Sequence, residues 1–151
     1  MSNKPLAIFA AGLAGGAADI LTAFVIYRPA SPEQVLQAVA SGLMGAAAFT
    51  QGWASAGVGA VCHFAISILF ASLYVAAAGY SPVLLRKPVL SGLTFGVFVY
   101  GVMNAIVVPL SLAPDRPPPP DHMIALGLMA HAFFGIALAV MAARVLRTPK
   151  F

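Results

Sequence analysis

The chain has 151 residues, of which 61% are apolar and 8% charged, with mean hydropathy +0.95. Ordinary soluble domains hold roughly 45 to 50% apolar and 25% charged residues, so this composition excludes a soluble enzyme and predicts a small integral membrane protein. The formal charge of +4 comes from eight Lys and Arg spread along the whole chain. They form no basic patch, which argues against a nucleic-acid partner and makes their positions informative about membrane orientation instead.

The first apolar stretch runs from Leu6 to Tyr27. Lys4 ahead of it and the small residues Gly15 to Ala18 have the look of a signal peptide, but the run continues through Ile20, Leu21, Phe24 and Ile26 and is long enough to cross a bilayer. Arg28, Pro29, Ser31 and Pro32 end it. Over residues 32–50 the pattern changes. Ser31 as N-cap, Pro32 at the first helical position and Gln34 three residues after the cap predict a helix start. Glu33, Gln37 and Ser41 then repeat every four residues, with Val35, Leu36, Val39, Leu43 and Ala47 opposite. Such a stripe predicts an amphipathic helix lying at the interface or dipping partway into the protein, and the eighteen residues from Glu33 to Thr50 leave a fifth crossing open.

Three further spans follow at residues 54–78, 89–112 and 122–146. Arg86, Lys87 and Pro88 separate the first two of these, and Ala113 to Asp121, with prolines at 117 to 120, separates the last two. With four spans and a cytoplasmic amino terminus, Lys4, Arg86, Lys87, Arg144, Arg147 and Lys150 fall inside, and Arg28 and Arg116 outside. The positive-inside bias therefore predicts both termini in the cytoplasm. A five-span arrangement gives the same charge count.

Each span carries one strongly polar residue away from its ends: Asp19, His63, Asn104 and His131. Counted from the outer ends of their spans, all four lie roughly 12 to 14 Å deep at 1.5 Å per residue. A five-span arrangement would move Asp19 to the other leaflet, so the shared depth favours four. Asp19 shares a helical stripe with Gly12, Gly15 and Gly16, His63 with Gly59 and Ser67, Asn104 with Gly101 and Tyr100, and His131 with Gly127 and Gly135. Small residues mark close helix approach, so these stripes, with the GxxxG pairs Gly12/Gly16 and Gly92/Gly96, predict inward-facing packing surfaces. Pro109 removes the donor for the Ala105 carbonyl and predicts a kink beside Asn104.

The predicted fold is all-α, an integral membrane four-helix bundle with an additional interfacial or re-entrant amphipathic helix. Carboxylate and imidazole at equal depth suit handling of a proton or small cation, or a divalent metal held by Asp19, His63 and His131, with Asn104 in support. Two other readings stand beside that one. The chain is an accessory subunit of a larger membrane complex, its polar residues acting as interhelical glue, or it places haem b between His63 and His131. A bundle this small also predicts a homo-oligomer or a membrane-complex partner. No P-loop, dinucleotide fingerprint, HExxH or serine elbow is present.

The runs PEQVLQAVASGLMG, CHFAIS and MNAIVVPLS resemble bacterial inner-membrane proteins of the YagU-like kind. The resemblance implies a small multi-pass bacterial membrane protein and carries no activity or catalytic residues with it.

Overall fold

The computed structural model describes residues 3–147, so Lys150 lies outside the described residues. Their regular structure is helical: α1 (Lys4–Ile26), α2 (Pro32–Met44), a 3-10 segment (Gly45–Thr50), α3 (Gly52–Tyr80), α4 (Val83–Arg86), α5 (Pro88–Val102) with a π turn (Met103–Val107), and α6 (Asp121–Arg147). Four of these are long and apolar enough to cross a membrane: Lys4–Ile26, Gly52–Tyr80, Pro88–Val107 and Asp121–Arg147. The last span of the α5 segment is shorter than the sequence suggested, because the π turn and Pro109 end it by Val107.

Their packing is that of a chain solvated by lipid. Large side chains such as Leu21, Val25, Val61, Leu69 and Phe98 are exposed, while Ala7, Ala11, Gly12, Gly15 and Gly16 line the buried face of α1. Without water there is little gain in turning leucine inward, and close approach of small residues supplies the contact. The helix α6 lies along both α1 and α5, and α3 lies along α1 and α2. Between α3 and α5 contact passes through large rings, with Phe95 edge-on to Phe70 and Tyr74. The Tyr74 and Ser91 hydroxyls, 2.8 Å apart, both reach the Leu84 carbonyl and tie this end of the helices to the α4 elbow.

The capping box of α2 is present: Ser31 Oγ accepts from the Gln34 amide, and Gln34 Oε1 accepts from the Ser31 amide. Gly45, at φ +61°, stops the α-helix short of residue 50, and the chain continues as the 3-10 segment. The stripe read as polar and interfacial faces the protein. Gln37 and Ser41 are buried, whereas Leu43 is 64% exposed. In a lipid setting the polar side must turn inward to find partners. Gln37 Nε2 donates to the Gly52 carbonyl at 3.2 Å and reaches Ser55 Oγ and Glu33 Oε1, and fully buried Ser55 donates to the Ala48 carbonyl at 2.6 Å. Gly59 lets the α2 backbone approach, since a Cβ there would overlap the Leu36 carbonyl.

Ser55→Ala is therefore expected to cost about 1 to 2 kcal/mol, because it leaves the Ala48 carbonyl without its buried donor. A lowered unfolding midpoint in detergent checks this; an unchanged midpoint would show that the hydroxyl contributes nothing to docking α2.

Candidate functional site

The site grows from the middle of α1, where two glycines admit neighbours from opposite sides. A Cβ at Gly15 would lie 3.1 Å from Phe134 and Leu138 of α6, and one at Gly16 would lie 2.8 Å from Ser67 Oγ of α3. One turn further on, Asp19 faces α6, with its Oδ1 3.7 Å from Nδ1 of His131. That oxygen is buried and has no hydrogen-bond partner among the described residues.

His131 Nδ1 also lies 3.0 Å from the Gly127 carbonyl. A carbonyl can only accept, so Nδ1 donates to Gly127 O, and Asp19 Oδ1 at 3.7 Å lies just beyond hydrogen-bond reach of it. The third wall comes from α5. The Tyr100 ring stands edge-on to the imidazole with centroids 5.3 Å apart, and Gly127 leaves room for it, since a Cβ there would lie 2.9 Å from Tyr100 Cε2. One turn before Tyr100, Gly96 abuts the His131 carbonyl. Three helices thus meet around a single carboxyl and imidazole.

Charges act on the pair's surroundings toward the Tyr27 end of α1. The structure ends α1 at Ile26, which puts Tyr27 just beyond the span, half exposed. Its phenol is pushed above the usual tyrosine range, first by burial and then by the Asp19 and Tyr100 charges, with Arg116 acting against them. Asp19, Tyr27, Tyr100 and Arg116 therefore share one electrostatic neighbourhood at the Tyr27 end of α1. Toward the Lys4 end, the next turns are closed by Ala7, Ala11, Phe134, Leu138 and Ala142, all buried and apolar.

The other two residues singled out from sequence lie elsewhere. His63 Nε2 donates to the Gly16 carbonyl at 2.9 Å, so this histidine joins α3 to the other side of α1. Asn104 is exposed and donates to the Tyr100 carbonyl at 2.9 Å, and Gly101 beside it meets nothing within 4 Å. Both depart from the expected inward stripe. Gly101, in the regular part of α5, already faces outward, and Asn104 three residues on shares that side, bonded locally to the preceding turn. The other glycines named for packing, Gly12, Gly16, Gly59, Gly92, Gly96, Gly127 and Gly135, each abut a neighbouring helix.

This geometry limits what the site can hold. Among the described residues, no three His, Cys, Asp or Glu side chains converge so as to hold a metal, so Asp19, His63 and His131 do not form the three-ligand set considered from sequence. Haem between His63 and His131 does not fit either. The Nε2 of His63 is engaged with Gly16, and at Gly12 and Gly16 the two helices are too close for even an added methyl. Arg116 counted in the sequence only as an outside charge; its effect on the Tyr27 phenol comes from a loop whose path no periodicity encodes. No protein-family model, curated protein or solved structure matches this chain; the site stands on its own geometry.

Proposed function

We propose that the chain is a four-helix bundle of the bacterial inner membrane, with both termini cytoplasmic and α2 toward the outer face, and that Asp19 and His131 take up a proton or small cation from the outer side. The buried, unpartnered Oδ1 of Asp19 carries this reading. A carboxylate oxygen at that depth is costly unless it gains a proton or a cation, and the imidazole 3.7 Å away is the nearest group able to exchange one. Tyr27, Tyr100 and Arg116 form the polar approach. The packed apolar layer beneath means that release to the cytoplasm requires helix movement, for which the π turn next to Tyr100 supplies a hinge. The orientation and the inner membrane follow the distribution of Lys and Arg and the YagU-like resemblance.

Proteoliposomes carrying an internal pH dye test this. Wild-type protein is expected to move protons across an imposed gradient, and Asp19→Asn, with helicity and unfolding midpoint retained, is expected to lose at least about tenfold of that flux, the scale on which a positioned proton carrier acts. Equal flux from both proteins removes the proposal. A second reading, an accessory subunit of a larger complex, is favoured by His63, whose ring is spent on joining α3 to the α1 backbone. It predicts a stable co-purifying partner that is lost in His63→Ala.

A further inference from the structure

The fold sorts charge along the bundle. Lys4, Arg86, Lys87, Arg144 and Arg147 come to one end, and counted from the contacts of Gly92 with Gly135 and of Asp19 with His131 they fall within about 10 Å of one another along the bundle axis. The four acidic side chains, Asp19, Glu33, Asp115 and Asp121, lie at mid-span or toward the Tyr27 end, so none of them balances this positive layer. Arg86 and Lys87 stand where α5 enters the membrane, exposed and without an ion pair among the described residues. Their turn is pinned. The Lys87 amide donates to the Val83 carbonyl at 3.0 Å, the Lys87 carbonyl accepts from both the amide and the Oγ of Ser91 at 3.0 Å, and Leu84 and Leu85 pack on the core. From Lys87 into the membrane, Pro88, Val89, Leu90 and Leu93 line an open groove with wholly apolar walls.

At that depth the surroundings are hydrocarbon, so an acyl chain fills the groove and selection falls on the headgroup above it. We infer that this elbow is a binding site for an anionic phospholipid, its phosphate held by Arg86 and Lys87 and one acyl chain lying along Pro88 to Leu93. The guanidinium can fork onto two phosphate oxygens while the ammonium adds a compact charge beside it. Because the backbone between them is already fixed, little ordering is left for the lipid to impose. The charge of the headgroup decides the rest. A zwitterionic lipid offers the same phosphate but brings its own ammonium, which an unbalanced positive layer disfavours, whereas an anionic lipid supplies the missing countercharge.

Quenching of tryptophan by brominated acyl chains tests the site, because it reports the lipid in contact with one ring. Trp53 is the chain's single tryptophan and lies at the other end of the bundle, so the full-length double variant Trp53→Phe/Leu93→Trp places the only reporter in the groove. In vesicles of equimolar phosphatidylglycerol and phosphatidylcholine, brominated one at a time, the groove tryptophan is expected to prefer phosphatidylglycerol at least about fivefold, a scale that two cations at the surface can supply. Leu90→Trp as the reporter is expected to give the same ranking, which guards against distortion at residue 93. Adding Arg86→Gln/Lys87→Gln is expected to bring the preference below about twofold. Adding Lys4→Gln/Arg147→Gln instead, which removes equal charge from the same end, is expected to keep most of it. Equal quenching by the two brominated lipids at both reporters overturns the inference. So does a preference that falls as far with the Lys4 and Arg147 pair as with the elbow pair, since a diffuse field rather than a site would then select the lipid.

Discussion

Gly96→Val is expected to destabilise the fold by about 3 kcal/mol or more and to part α5 from α6. The seam between these helices is backbone on backbone. A Cβ at Gly96 would overlap the His131 carbonyl and sit 3.0 Å from Ala132 Cα, one at Gly92 would lie 2.5 Å from the Gly135 carbonyl, and one at Gly135 would overlap Gly92. None of these obstacles is the end of a flexible side chain, so the added carbons can be housed only by moving a helix. Overpacking of that kind costs 1 to 3 kcal/mol where some relaxation is possible, and more where it is not. The comparison is Gly57→Ala in α3, where a Cβ meets nothing; there the better helix propensity of alanine predicts a change between zero and about 1 kcal/mol in the stabilising direction. Denaturant unfolding in micelles measures both. An unshifted midpoint for Gly96→Val would show that the seam is looser than described. Because Gly96 bears directly on the residue that presents the imidazole, the same variant is expected to reduce proton uptake together with stability.

The four long helices were legible because length and hydropathy are one-dimensional properties. Their bounds fall within about two residues of those read from sequence, except where the π turn shortens the α5 span, and Pro32 and Pro88 mark helix starts by chemistry that needs no neighbour. What depends on azimuth was less legible. Asp19 and His63 share a depth, yet His63 meets the α1 backbone from the α3 side at Gly16, while Asp19 meets α6 at His131. Depth brought the residues to one layer and could not say which neighbour each would face. The α2 stripe shows the same limit in another form. Period four identified the helix but left open whether the stripe stays at the interface or enters the protein; with lipid outside, Gln37 turns to Gly52 and Ser55 and Ser41 is buried on the same side. Asn104 was misplaced for a third reason. Its depth was counted from a span end at residue 112, whereas the span ends at Val107 and leaves Asn104 one turn from the helix end, on the side where Gly101 already faces outward.

Replacing His131 by Phe keeps a ring against Tyr100 and removes both ring nitrogens. It is expected to cost about 2 to 3 kcal/mol, below the 3 to 5 typical of breaking a fully buried pair, because the Asp19 and His131 side chains keep 18% and 21% of their exposure. The loss arises chiefly at Asp19, whose Oδ1 has no hydrogen-bond partner and would then face a hydrocarbon ring. Asp19→Leu in the same background removes that isolated carboxyl and is expected to return stability to within about 1 kcal/mol of wild type, since a packed apolar pair commonly matches a buried polar one. The double-mutant cycle is then expected to show coupling, the double variant being more stable than the sum of its two singles. Additive single effects would mean that carboxyl and imidazole do not act together. The double variant also separates fold from chemistry: with helices and stability intact and no group left to exchange a proton, its proteoliposomes are expected to be as proton-tight as empty ones.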